Sequence, residues 1–573
     1  MNWAASLLVP LVAVAADVDP AVLDAEARRI EIIEQASATA VAIFAGDSGG
    51  GSGVLISPDG YALTNFHVVE PAGAAMKCGL SDGRLYDAVL VGLDPTGDVA
   101  LVKLVGRDDF PFAVLANSDT VEQGDGCFAA GNPFLLATDL VPSISAGIVS
   151  GTHRYQFPAG TILEYADCIQ VDAAINPGNS GGGLFDANGR IIGVNGRASF
   201  EKRGRVNVGA GYAISANQLR NFLGCLKGGR LCDHATLGAT VATASDGRVV
   251  ISDILESSDA WRRGLRIDDE LVSLAGRPLH TVNGFKNILG TLPAGWQVPI
   301  VYRRKGRREE ALIRLAGVHA SAELAAIVNR GTEQPPARGD GEPNPEPEPT
   351  TRPDAMKKIP EPLRDLYEPR PGFTNFHFNT VERDRVGRAM ASAHGKRAQG
   401  PWVLAGALED GAEFRIEISD STAVIDLPTG TSELDTTGEL DANPVPPGSG
   451  GMLAALVVWR RLLNEGPTAL GRTTYWGTAP ADPRSIDPAG GDLVDVLETV
   501  VAGIEARFLV DAEGHVVGID LWTSPEADPC EVRITPAKEG DPSGLPQRLD
   551  VSRGAERFGV FRITEGTLGE ASP

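Results

Sequence analysis

Basic residues are scarce in this chain. Its 573 residues carry 51 Lys and Arg against 75 Asp and Glu, a formal net charge of −24. A nucleic-acid partner requires a basic footprint that neutralises phosphates, so none is expected. An anionic membrane surface is an equally poor partner. Cysteine is sparse as well: Cys78, Cys127, Cys168, Cys225, Cys232 and Cys530. They form no C-x-x-C pair and no zinc-ligand spacing, so no metal and no cofactor is expected. Long apolar runs are missing too. The run from Ala4 to Ala16 falls short of a bilayer span, which takes roughly 20 apolar residues. No later segment reads as transmembrane.

That first run has another reading. It precedes an acidic segment, and Ala13, Ala15 and Ala16 suit an A-x-A cleavage site. Residues 1–16 are therefore read as a signal peptide and 17–35 as an N-terminal segment. This makes the protein exported, to the periplasm or the extracellular space. No Lys or Arg precedes the run, which leaves a buried N-terminal strand or an uncleaved anchor as the alternative. Cys225 and Cys232 flank a Gly-Gly turn (CLKGGRLC). They could close a small disulfide in an oxidising compartment or stay free and buried. Cys530 stands alone in its region.

A chain this long exceeds one core, and its 43% hydrophobic content suits folded domains. Residues 36–228 read as short Val-, Ile- and Ala-rich strands between Gly, Asp, Pro and Asn turns, a pattern of β-barrels or sandwiches. A helix is predicted from about Ala216 to Leu226. Residues 234–318 form a smaller module with a helix near Val282 to Leu292. Residues 319–356 are assigned as a linker, because GTEQPPARGDGEPNPEPEPTTRPD cannot bury enough apolar surface to fold. Residues 357–573 read as a C-terminal domain, α+β or mainly β, with an amphipathic helix over Gly451 to Leu463.

Three segments carry chemistry in order: YALTNFHVV with His67, DPTGDVALVK with Asp98, and DAAINPGNSGG with Ser180. A serine hydroxyl becomes nucleophilic when an imidazole takes its proton, and a buried carboxylate fixes that imidazole's tautomer. His67 is the candidate base, Asp98 its orienting group and Ser180 the nucleophile. The same order, His then Asp then Ser, occurs in chymotrypsin. Gly178, Asn179 and Ser180 form the candidate oxyanion loop, where glycine lets backbone N–H groups converge. Each segment alone has an ordinary structural explanation; their combination does not.

These segments, with GSGVLISPDGYALTNFHVV, GNPF, GIVSG, QVDAAINPGNSGGGLFDANGRIIGVN and GAGYAISAN, resemble the protease domain of the HtrA/DegP family of trypsin-like serine endopeptidases. The likeness runs from Ser37 to Asn217. It implies a chymotrypsin-like double β-barrel with the active site between barrels. It also implies ATP-independent action on unfolded or damaged proteins. Gly183 departs from the family's usual Pro. Residues 197–208 (RASFEKRGRVNV) would help line the specificity pocket. The family also suggests a homotrimer built on N-terminal segments, although the region from Val18 to Ala42 lacks aromatic residues.

The second module, with VISDILESSDAWRRGL and DELVSLAG, resembles a PDZ domain. The resemblance implies binding of peptide C-termini as an added strand. Leu237, Gly238 and Ala239 are the candidate carboxylate loop, and Asp268 replaces a usual Gly. The C-terminal domain resembles no family with known chemistry. Ser449, in a GSGG run, is read as a helix cap. His377 and His394 are read as solvated or structural, and Trp402, Trp459, Trp476 and Trp522 as core. The main alternative to an endopeptidase is a protease-fold chaperone or adaptor that works by binding. A third reading gives the C-terminal domain a recruiting role.

Overall fold

The computed structural model describes residues 18–45, 50–132, 139–156, 163–200, 207–330, 359–394 and 400–569, except 442, 485, 487–490, 526, 539–540 and 542. Helix α1 (Pro20–Thr39) opens the described chain. Asp19 caps it, its Oδ1 accepting from the Ala21 amide at 2.9 Å, with Pro20 in the first turn where no amide is needed. The protein is mainly β, and its first unit is a pair of closed six-stranded barrels.

The first barrel comprises β1 (Ala40–Phe44), β2 (Gly50–Leu55), β3 (Tyr61–Thr64), β4 (Ala75–Gly79), β5 (Leu85–Asp94) and β6 (Val99–Leu104). Its strand order is β1-β2-β3-β6-β5-β4, closed by β1 pairing with β4. The second comprises β7 (Gly126–Gly131), β8 (Ser143–Gln156), β9 (Tyr165–Val171), β10 (Gly183–Asp186), β11 (Ile191–Phe200) and β12 (Asn207–Ser215). It closes through β10 and β7. The interiors are packed with small and branched side chains such as Val54, Leu63, Val89, Val102, Val171 and Leu184. A one-turn helix, α2 (Phe66–Val69), follows β3.

After the second barrel, α3 (Ala216–Lys227) crosses back to the first, burying Leu219, Phe222 and Leu226. Cys225 and Cys232 are bonded, while the other four cysteines are buried free thiols. The loop closed by this disulfide is a junction. Leu93 at the end of β5 donates its amide to the Arg230 carbonyl and accepts from the Cys232 amide.

A second unit holds β13 (Ala235–Thr236), β14 (Ala239–Thr243), β15 (Val249–Ile254), α4 (Asp259–Arg262), β16 (Glu270–Leu274), β17 (Arg277–Pro278), α5 (Val282–Gly290), β18 (Gln297–Arg304), β19 (Arg307–Arg314) and β20 (Ala316–Gly317). Its main sheet runs β14-β15-β16-β18-β19, with β14 and β19 as edges. Helix α5 packs on β8 and β9. There Asn287 accepts the Asp167 amide at 2.9 Å and donates to the His153 carbonyl at 2.6 Å.

The linker expectation meets a helix at its start: α6 (Ser321–Arg330). The stretch SAELAAIVN is rich in good helix formers, and it buries Leu324 and packs Val328 against the hydrophobic core that includes the first barrel. The Pro- and Glu-rich stretch that follows, 331–358, lies outside the described residues.

The third unit begins with α7 (Phe376–His394) and continues with β21 (Trp402–Leu408), β22 (Glu413–Ile418), β23 (Thr422–Leu427), β24 (Gly430–Asp435), α8 (Met452–Glu465), β25 (Arg472–Pro480), β26 (Leu493–Val501), β27 (Ile504–Val510), β28 (Val516–Trp522), β29 (Cys530–Thr535), β30 (Arg548–Arg553) and β31 (Glu556–Leu568). All eleven strands form one antiparallel sheet in the order β24-β23-β22-β21-β31-β30-β29-β28-β27-β26-β25. Helix α8 differs from the amphipathic expectation. Met452 through Arg460 are all buried, because the sheet and α7 cover the helix on more sides than a flat sheet would. Ser449 accepts the Met452 amide at 3.1 Å and donates to the Pro446 carbonyl at 2.7 Å. It is fully buried two residues before Gly451, which is the cap residue of α8, so Ser449 ties the turn ahead of the helix rather than serving as its cap. Trp402 and Trp459 lie in this core, edge to face.

The third unit holds both others. Asn379 donates to the Gly228 carbonyl at 2.8 Å and accepts the Tyr475 amide at 3.0 Å. Trp296 of the second unit donates to the Thr478 carbonyl at 2.8 Å. Arg314 at the end of β19 reaches Asp520 at 2.8 Å and Glu531 at 2.9 Å. Among the described residues no helix is long and apolar enough to cross a membrane.

Candidate active site

His67 sits on α2, just past the end of β3, and Asp98 sits one residue before β6. These strands are neighbours in the first barrel, so pairing carries both residues to the same rim. His67 Nδ1 lies 2.8 Å from Asp98 Oδ2 and 3.0 Å from Oδ1. The His67 amide also donates to Asp98 Oδ1 at 3.1 Å. The carboxylate accepts, so Nδ1 carries the proton and Nε2 of the neutral ring keeps its lone pair. Asp98 is fully buried, while the His67 side chain is 35% exposed. That asymmetry gives a fixed carboxylate beside a ring open to the cleft.

Asp98 holds a left-handed backbone conformation, φ 58°, which is uncommon outside glycine. Two neighbours hold it there. Its carbonyl accepts from the Asn65 amide group at 2.9 Å and from the Phe66 backbone at 3.2 Å. The other end of the DPTGD loop is anchored by Asp94, which accepts the Gly97 amide at 2.8 Å and faces His234 Nε2 at 2.9 Å. Burial opposes charge on His234, yet Asp94, with Glu164 and Asp233 nearby, holds its pKa above the ordinary value. A buried His–Asp pair thus ties the start of the second unit to the loop that carries Asp98.

Ser180 approaches from the second barrel. Ser52 on β2 stitches the two barrels together here. It donates to the Gly178 carbonyl at 2.6 Å, and its amide donates to the Ser180 carbonyl at 2.8 Å. It also accepts the Asn132 amide at 2.9 Å. Gly178 has φ 102° and Gly181 φ 86°. A Cβ on Gly181 would lie 2.1 Å from the Ser52 carbonyl oxygen, so only glycine fits. The Ser180 hydroxyl donates to the Gly196 carbonyl at 3.1 Å.

Among the described residues, the Gly178 and Ser180 amides have no acceptor. Asn179 differs from its neighbours. Its amide donates to Asn176 at 2.9 Å and its side chain to Ala174 at 3.3 Å. Its backbone donor is therefore spent inside the loop, leaving two amides free to receive a developing negative charge. Gly183 begins β10, where a Cβ would lie 2.6 Å from the Phe185 ring.

The comparisons with known proteins fit this arrangement. A model of the trypsin-like peptidase domain matches residues 51–194. The probable periplasmic serine endoprotease DegP-like of Chlamydia trachomatis is 32% identical over 292 residues, 49% of this chain and 56% of its own. The periplasmic serine endoprotease DegP of Escherichia coli K12 is 34% identical over 306 residues, 50% of this chain and 62% of its own. Residues 51–194 match a trypsin-like peptidase domain, and the amino-terminal half is similar to serine endoproteases named DegP. The chain spans only 56% and 62% of the length of these two relatives. Among solved structures, the HtrA-type protease AlgW with tripeptide shares 30% identity, covering 50% of this chain and 96% of its own, with a TM-score of 0.42.

Beyond this family match, the remaining candidates fall as follows. Leu237 is buried, Gly238 has φ 69°, and Ala239 begins the edge strand β14. Asp268 takes φ 69°, so the backbone keeps a glycine-like conformation without the glycine. The expected specificity segment 197–208 falls largely outside the described residues. Among the described residues no cluster of three His, Cys, Asp or Glu side chains is placed to hold a metal. Ser52, Asn65, Tyr165 and Gly196 were not singled out from sequence. Ser52 lies inside a motif read there, GSGV; Tyr165 and Gly196 carry no local signal at all.

Proposed function

We propose that this protein is an exported serine endopeptidase, periplasmic like the relatives named above, that hydrolyses unfolded or damaged proteins. His67 is the general base, Asp98 orients it and Ser180 is the nucleophile. The Gly178 and Ser180 amides stabilise the oxyanion. Ser180 Oγ attacks the scissile carbonyl while its proton passes to His67 Nε2, which returns it to the leaving amine. Water then hydrolyses the acyl-enzyme by the same proton path. The observation that supports this most is the pairing of His67 with the buried Asp98, together with a serine loop that has two unengaged amides.

Peptide C-termini are the proposed ligand of the PDZ-like second unit, added along the open edge of β14. A homotrimer through α1 is part of the same proposal, supported by exposed Val22, Leu23 and Ile30 on that helix. One observation favours the second reading, a protease fold that works by binding. The Ser180 hydroxyl is engaged at Gly196 and must leave that bond before His67 can take its proton.

Fluorophosphonate labelling mapped by mass spectrometry separates the two readings. Labelling at Ser180, with casein cleavage abolished by Ser180→Ala, is the expected result. No labelling, even with unfolded protein or C-terminal peptides added, would transfer the function to binding.

A further inference from the structure

Tyr165 opens β9 in the second barrel and is 1% exposed. Its hydroxyl donates to Asp98 Oδ2 across the barrel interface. The Asp98 carboxylate thus receives His67 Nδ1, the His67 amide and the Tyr165 hydroxyl. Oδ2 is shared by His67 Nδ1 and the Tyr165 hydroxyl, while Oδ1 takes the His67 amide. A buried carboxylate has about four lone-pair positions, and an unfilled one costs free energy in a site without water.

The same ring meets the serine side of the site. A Cβ built on Gly196 would lie 2.4 Å from Tyr165 Cε1 and 2.7 Å from its hydroxyl oxygen. Gly196 supplies the carbonyl that accepts the Ser180 hydroxyl. The ring therefore fills the space a side chain at 196 would need, and its hydroxyl lies where such a side chain would point. Tyr165 and Gly196 are complementary: the first supplies the donor, the second makes room for it.

We infer that Tyr165 is a positioning residue that holds Asp98 for His67, and that Gly196 is bare because Tyr165 occupies its side-chain space. The inference rests on the proposed triad. Tyr165 touches no substrate and acts through Asp98. Its hydrogen bond draws carboxylate charge away from the imidazole and fixes the rotation of the carboxyl group.

Tyr165→Phe keeps the ring and removes the donor. Two readouts follow: the rate of Ser180 acylation by a fluorophosphonate, and kcat and KM on fluorescent casein, both against pH. The variant should lose about tenfold in kcat with KM unchanged, the scale of one hydrogen bond to a charged group. The acid limb of its profile should move to higher pH, because the undivided Asp98 charge favours imidazolium more strongly. A second test covers misfolding. Tyr165→Ala should be slow, and adding Gly196→Ser to it should recover activity by placing a hydroxyl near the vacated position. Gly196→Ser alone should be slow, since its Cβ meets the ring. If wild-type protein labels at Ser180 while Tyr165→Phe matches it in kcat and pH profile, the inference fails and the triad stands. A wild-type chain that does not label at Ser180 overturns both.

Discussion

Arg314 is the most instructive residue to remove from the junction of the second and third units. Its guanidinium is largely buried and donates to Asp520 at 2.8 Å and Glu531 at 2.9 Å. Arg533 supplies the only other guanidinium on Asp520 among the described ion pairs, at 2.6 Å. Burial alone would raise the Asp520 pKa, but Arg533 and Arg314 together hold it down to about 2. Burial and the Asp520 charge push Glu531 the other way, upward. Arg314→Leu leaves two buried carboxylates facing one guanidinium. Breaking a buried pair from one side costs about 3 to 5 kcal/mol. Protonation of Glu531 relieves part of that, so a loss of about 3 kcal/mol is expected. Trp296, Trp476 and Trp522 lie at this junction, with Arg314 5.2 Å from the Trp522 ring. Urea unfolding followed by tryptophan fluorescence therefore reports it directly. With a slope of about 2 kcal/mol per molar, the midpoint should fall by about 1.5 M. Adding Glu531→Leu removes the orphaned charge and should restore about half the loss. A single-variant loss under about 1 kcal/mol, or a double variant weaker than the single, would refute the reasoning.

Two further predictions concern stability. Burial, with His515 5.8 Å away, lowers the His394 pKa from 6.5 to about 4. The unfolded chain then takes this proton first, so stability is full above pH 6.5 and falls as pH drops toward 4, by about 3 kcal/mol. His394→Gln should flatten that part of the curve of urea midpoint against pH; an unchanged slope would exclude the buried neutral imidazole as its source. The second concerns the bond between Cys225 and Cys232, seven positions apart. Closing so short a loop contributes about 2 kcal/mol. A reductant should destabilise the wild type by that amount and leave a Cys225→Ser/Cys232→Ser variant unchanged; equal sensitivity would show that the effect lies elsewhere.

What could be read in the sequence was local. His67, Asp98 and Ser180 each lie in a short string whose residue types make sense together. The barrels were legible because strands a few residues long alternate with Gly, Asp and Asn turns. Helices α3 and α5 were legible from their apolar spacing and fall within about two residues of the expected ends. Long-range geometry was hidden. Tyr165 stands 67 positions from Asp98, and nothing near it announces a carboxylate. Gly196 makes sense only beside a ring from another strand. Apolar spacing showed that α8 has a buried face, but spacing alone does not show how far a sheet wraps around it. Helix α6 was submerged in a linker assignment because the acidic, proline-rich run beside it dominated the composition.

The order of strands in the third unit sets an order of assembly. Strands β21–β24 and β25–β30 are two successive meanders, and they meet only through β31, which pairs with β21 on one side and β30 on the other. During synthesis the two barrels can close long before this seam exists. The sheet around α8 stays divided until residues 556–568 have emerged, and contacts this distant in sequence form slowly. Nascent protein thus passes through a period with complete barrels and an unfinished third unit. A stop codon at the start of β31 would leave every catalytic candidate in place and cut the sheet in two.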